Sequence, residues 1–199
     1  MSRKTPRRVS SQLGASLIEV LVSMVILMIG LLGLIGVMIE SQRAQLESYQ
    51  RAQALLLVQD MAARIGGNRM ASECYSQAAG VMFGTDHGTV AAVTPGCASG
   101  TVAEKAARED RATRDLREWQ DLLLGSTEQI GGSNVGSMLG ARGCIAKDAT
   151  TGVFMVSVAW QGGQTLGGPP AAITCGSGQY GDETKRRAVG LTLIPPVSS

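Results

Sequence analysis

Histidine is almost missing from this chain. His87 stands alone among 199 residues, and none of the four cysteines belongs to a C-x-x-C pair. Zinc-site spacing is therefore absent, and no metal or cofactor is expected. The glycine-rich stretches contain no G-x-x-x-x-G-K-[ST] phosphate loop, and the CGSG segment is not a G-x-S-x-G nucleophile elbow. His87 beside Asp86 in GTDHGT reads as a solvated loop pair, so no nucleophile and base come together and no enzyme is expected.

Charge is missing from a second place. Val20 to Ile39 carries none, and Ser23 is its only polar side chain. At about 1.5 Å per residue that run crosses the roughly 30 Å hydrocarbon layer of a bilayer once. No second run approaches it in length. Acids are absent from residues 1–14, which hold Arg3, Lys4, Arg7 and Arg8, so the N-terminus is expected in the cytoplasm and the head in the periplasm. Without those cations the 18 basic side chains fall below the 16 acidic ones, and a nucleic-acid partner gains no support. Lys185, Arg186 and Arg187, flanked by Asp182 and Glu183, read as a solvated strand entrance, and the two acids fall short of a calcium loop.

The cysteines that are present agree with export. Cys74, Cys97, Cys144 and Cys175 all follow the apolar run, which suits two disulfides in an oxidising compartment. Three connectivities are open. Loop length favours Cys74 with Cys97 and Cys144 with Cys175, and free buried thiols are the bland alternative.

A basic leader before an apolar run also describes a secretory signal. This run is longer than the usual 7 to 15 residues, and GLIGVMIESQRA offers no small-x-small cleavage site. Glu19, at the start of the apolar segment, is also foreign to such a signal. Gly14-Ala15-Ser16-Leu17-Ile18-Glu19-Val20, after its basic leader, resembles the class III signal of type IV prepilins. The resemblance implies that a prepilin peptidase cuts after Gly14 and that Ala15, where many family members have phenylalanine, is N-methylated.

The physics of Glu19 fits that reading. Cleavage leaves an α-amine at Ala15, four residues or about 6 Å of helix away. A lone charge in lipid costs at least about 2.5 to 3.5 kcal/mol, so the acid needs a partner or a proton. In a filament, the Ala15 amine of a neighbouring subunit can serve. Such a pair penalises wrong registers more than it stabilises the right one.

The helix is expected to continue beyond the membrane. No glycine or proline falls between Val37 and Ile65, and Ala54, Val58, Met61 and Ile65 share one face, with Gly66 and Gly67 as the stop. Gly30, Gly33 and Gly36 would allow close helix approach in the apolar half. Residues 68–103 read as an irregular segment. EKAAREDRATRDLREWQDLLLG then reads as an amphipathic helix with Ala112, Leu116, Trp119 and Leu123 inward, closed by Gly125. Strands are expected around Arg142 to Lys147, from Val153 to Gln161 after a turn at Asp148 to Gly152, at AAITC and at RRAVGLTLI.

The sum is an α+β pilin architecture, a long N-terminal helix packed on an antiparallel sheet of about four strands. Its expected parts are a leader (1–14), a transmembrane half of the helix (15–39), a soluble half (40–65) and a globular head (66–199). The segments RDLREWQDLL, FMVSVAWQG and CGSGQYGDETKRRAVGLTLI are similar to the minor-pilin family of type IV pilus modification protein PilV. That resemblance implies other minor pilins and the major pilin as partners, with the inner membrane and then the pilus as locations. A type II secretion pseudopilin shares leader and fold and remains the alternative, with a signal-anchored periplasmic enzyme behind it.

Overall fold

The computed structural model describes Gly14 and residues 16–78, 80–126, 129–131, 133–134 and 138–194. Residues 1–13 and Ala15, and with them most of the expected leader and the expected methylation position, lie outside the described residues. The chain divides into two compact units, Met1–Ala44 and Gln45–Ser199, and helix α1 (Leu17–Gly67) contributes to both.

In the first unit the side chains from Leu17 through Ile39 are all exposed, and Gly30, Gly33 and Gly36 have open space where a side chain would stand. The helix is long and apolar enough to cross a bilayer.

In the second unit α1 buries Ala54, Val58, Met61 and Ile65, the stripe that a 3.6-residue period requires. The helix ends at Gly67, the second of the two glycines expected to stop it, and the Asn68 N–H donates to the Arg64 and Ile65 carbonyls at 3.1 and 3.2 Å. A kinked 3-10 helix, Arg69–Tyr75, follows within the segment expected to be irregular.

Helix α2 (Val102–Leu123) begins where Thr101 and Glu104 form a capping box and ends at Gly125, whose φ is 65°. Its inward face holds Ala112, Leu116, Trp119 and Leu123, and the Trp119 Nε1–H donates to the Leu57 carbonyl of α1 at 3.0 Å. Tyr75, Asp115 and Arg64 add a polar tie between the same helices. The Tyr75 hydroxyl donates to Asp115 at 2.5 Å, while Arg64 reaches Asp60, Asp115 and Glu118 at 2.8, 3.2 and 2.6 Å. Burial, then the bond to Asp115, pushes the Tyr75 hydroxyl well above the ordinary tyrosine range.

The main sheet is antiparallel. Its strands β1 (Phe83–Gly84), β4 (Arg142–Lys147), β5 (Phe154–Gln161) and β6 (Arg186–Leu193) lie in that order, and β2 (Gln129–Ile130) pairs with β3 (Ser133–Asn134) separately. AAITC is not one of the strands. The Cys144–Cys175 disulfide pins that stretch over a sheet face, where Cys175 and Tyr180 pack on Ala159 of β5 with Ile173 beside them. The fourth strand is β1, which forms because Gly84 (φ 92°) lets its backbone approach the Ala141 carbonyl so closely that a Cβ would lie 2.3 Å from it. Strand β5 is covered on both faces, which explains its nearly continuous burial.

Gly143 has a similar role on β4, since a Cβ there would come within 2.4 Å of the Trp119 ring and 2.7 Å of Leu123 Cδ1. Gly143→Ala should therefore lower the urea midpoint by an amount equivalent to about 1 to 3 kcal/mol, the usual cost of overpacking.

Carboxylates hold several turns. The Thr101 N–H lowers the pKa of Glu104, the Thr151 N–H that of Asp148, Thr184 that of Asp182, and the Gly178 N–H that of Glu183. A pKa lowered by folding adds stability above its unfolded value and loses it as pH falls through the folded value. The head should thus hold its urea midpoint down to about pH 4 and lose it below, which a midpoint-versus-pH series would read.

Candidate assembly and processing site

The apolar helix opens one turn after Gly14. The Ser16 carbonyl accepts from the Glu19 and Val20 N–H groups at 3.0 and 3.2 Å, which closes the first turn. Gly14 is exposed, with nothing near its Cβ position. Glu19 lies in the first turn, where the helix dipole favours an acid, and Ile18, Val22, Ser23, Ile26 and Leu27 adjoin it. The Ser23 hydroxyl donates to the Glu19 carbonyl and so spends its polarity within the helix. Among the described residues no side chain donates to the Glu19 carboxylate, so its acid stands at the edge of an apolar surface with capacity for a cation.

The four cysteines come together in two pairs, Cys74 with Cys97 and Cys144 with Cys175, closing separations of 23 and 31 residues. Glu109 lies near the first pair, its oxygen and the two sulfurs within 4.8 Å of one another. Both sulfurs are bonded to each other, and Glu109 Oε1 accepts from the Gly96 and Ala98 N–H groups at 2.7 and 3.3 Å. The cluster therefore holds a loop, and its donor set does not suit a metal.

Asp86 and His87 are not a pair. Asp86 binds Arg142 of β4, while the His87 ring lies 5.2 Å from the Phe83 ring. Phe83 takes the imidazole by apolar contact, and the buried guanidinium takes the acid. The basic cluster also departs from expectation. Arg186 is buried, donating to the Ile173 and Cys175 carbonyls at 2.8 and 3.1 Å and to Glu183 at 2.5 Å. Arg187 binds Glu47 of α1 and the Thr184 and Gln164 carbonyls. Bare carbonyls in the disulfide-pinned loop draw these guanidinium groups inward, an attraction that local charge pattern does not reveal.

Arg142, Tyr180 and Arg64 escaped the sequence reading. Arg142 stacks 5.2 Å from the Tyr180 ring, whose hydroxyl donates to the Gly140 carbonyl at 2.9 Å. Each buttresses the head and none lies near Glu19 in sequence.

The model of the prokaryotic N-terminal methylation motif matches residues 9–35. That match supports a type IV pilin-type protein. It takes in Gly14, Ala15 and Glu19 and the opening of the apolar helix, and together with the single N-terminal span it fits a pilin anchored in the inner membrane. No curated protein and no solved structure matches the chain. A long N-terminal helix with a four-stranded antiparallel sheet is the α+β arrangement of a type IV pilin-like fold.

Proposed function

We propose that this chain is a minor pilin of a type IV pilus, a non-enzymatic subunit of the PilV kind. It joins other minor pilins to prime assembly and to modify the filament that the major pilin builds. The observation that carries the proposal is the methylation motif at the head of an exposed apolar stretch, Leu17 to Ile39, whose one acid, Glu19, accepts from no side chain among the described residues. In this reading a prepilin peptidase cuts after Gly14 on the cytoplasmic face and methylates the Ala15 amine. The head waits in the periplasm until Glu19 meets the amine of an adjacent subunit and the helix leaves the bilayer.

A type II secretion pseudopilus would use the same leader and helix. The CGSGQYG segment, which folds over the sheet behind Cys175, and the second disulfide favour the pilus. Deletion of the gene, with pilus-dependent twitching and type II secretion measured in parallel, tests the choice. Lost twitching with normal secretion is expected. Lost secretion with normal piliation would transfer the protein to the pseudopilus.

A further inference from the structure

The two disulfides of the head are alike in access and unlike in charge. Each joins a deeply buried cysteine, Cys74 or Cys175 at 4 % exposure, to a half-buried one, Cys97 or Cys144. Cys97 lines a cavity of about 380 Å³, and Cys144 a groove of about 400 Å³. A small thiol can therefore reach one sulfur of either bond. Exchange needs more than reach, because the attacked sulfur keeps the reagent while the other departs as a thiolate. A carboxylate beside the departing sulfur slows that step, and a cation speeds it.

Here the two bonds differ. Glu109 extends from α2 until a carboxylate oxygen and the sulfurs of Cys74 and Cys97 all lie within 4.8 Å of one another. Its Oε1 is held by the N–H groups on either side of Cys97, from Gly96 at 2.7 Å and from Ala98 at 3.3 Å. Glu73, which also lines the cavity, is paired with Lys147 at 2.5 Å, so Glu109 supplies the negative field at these sulfurs. At the other bond the field is positive. Arg186 is buried and donates to the Cys175 carbonyl at 3.1 Å, while its partner acid, Glu183, is exposed to the screening of water.

We propose that the head directs thiol exchange to Cys144–Cys175, with Cys144 as the sulfur attacked and Glu109 as the residue that keeps Cys74–Cys97 closed. A reagent thiolate bonds to Cys144 Sγ, and the bond to Cys175 breaks. Cys175 leaves with the electron pair, beside Arg186, and takes a proton from water. A second thiol then displaces Cys144, so that two thiols are oxidised to one disulfide as this one is reduced. At Cys74–Cys97 the same sequence would place a thiolate on buried Cys74 next to Glu109. By Coulomb's law a unit charge at that distance slows the departure by about ten-fold when the effective dielectric constant lies between those of a protein surface and of water. Opening Cys144–Cys175 removes the covalent pin of the AAITC stretch, which Arg186 still holds through the Ile173 and Cys175 carbonyls. The proposal does not depend on which filament the chain joins.

Two monothiols of opposite charge, cysteamine and mercaptoethanesulfonate, test it on the full chain in neutral detergent, with acid quench, alkylation and peptide masses to time each bond. Cys144–Cys175 should open at least about ten-fold faster than Cys74–Cys97, with the first adduct on Cys144. Glu109→Gln keeps an oxygen for the Gly96 and Ala98 N–H groups and loses the charge. It should speed Cys74–Cys97 by about ten-fold and leave Cys144–Cys175 unchanged. The gain should be larger for mercaptoethanesulfonate than for cysteamine, since only the anion is repelled by Glu109, whereas a loosened loop would admit both equally. If the variant fails to fold, the order of opening and the reagent dependence of the wild-type chain decide. Equal rates at the two bonds, a first adduct on Cys175, or a Gln variant that speeds both reagents alike overturns the proposal.

Discussion

Glu19→Val is expected to leave cleavage after Gly14 intact and to lower the amount of subunit recovered in filaments by about a hundred-fold. The size follows from what the acid does in lipid. An unmatched carboxylate costs about 2.5 to 3.5 kcal/mol, so a register that meets an amine is preferred over one that does not by roughly two orders of magnitude. Valine removes the penalty from every wrong register and with it the preference for the right one. It does not disturb the helix, because the side chains around Glu19 are exposed and apolar and the first turn is closed by the Ser16 carbonyl. Glu19→Gln, which keeps the shape and loses the charge, should fail in the same way. Immunoblots of sheared pili against membranes, with the precursor and mature bands separated, give the measurement. Normal recovery of the valine variant would remove the register role from Glu19.

Trp119→Ala should produce the largest loss of head stability, about 3 to 5 kcal/mol, a large part of the 5 to 15 kcal/mol usual for a domain. The ring is fully buried, meets Phe83 edge-on at 5.6 Å, covers Gly143 of β4 and bonds to the Leu57 carbonyl of α1. It therefore joins both helices to the sheet, and its removal opens a cavity where all three meet. Trp160 provides the control. It is equally buried, but its Nε1–H has no partner among the described residues. Trp119→Phe forfeits a hydrogen bond and Trp160→Phe does not, so the first should cost about 1 kcal/mol more than the second. Urea titration of the full chain in detergent, followed by fluorescence of the remaining tryptophan, would compare them. Equal costs would mean that the Leu57 bond contributes nothing net.

The parts of this protein that were legible in the sequence are those whose pattern repeats over many residues or whose chemistry is local. Val20 to Ile39 is long and apolar enough to cross a bilayer, and the spacing of Ala54, Val58, Met61 and Ile65 marked the buried stripe of α1. The spacing of Ala112, Leu116, Trp119 and Leu123 placed α2, although the helix begins two residues before the expected Glu104, at Val102. The alternation from Phe154 to Trp160 located β5, although its polar-side residues Ser157 and Ala159 turned out to be buried as well.

What could not be read depended on partners distant in sequence. Strand β1 is two residues long, and nothing in Phe83–Gly84 distinguishes it from loop until Arg142 and Gly143 lie beside it. AAITC has the composition of a strand, but the disulfide to Cys144 holds it across the sheet instead of at an edge. Arg186 and Arg187 look like solvated charges because the Ile173, Cys175 and Gln164 carbonyls and the Glu47 carboxylate that receive them lie 11 to 140 residues away. In the site itself, Gly14 and Glu19 were visible because they stand in one contiguous motif, which needs nothing from the head.

That contiguity makes the central claim testable on one molecule. Intact-mass and N-terminal fragment spectra of the chain purified from membranes should show it beginning at Ala15 with one added methyl group on the amine, and Gly14→Val should leave the full-length precursor in the membrane. A mature chain beginning beyond Ile39 would mean that the apolar helix is discarded, and would contradict the pilin account.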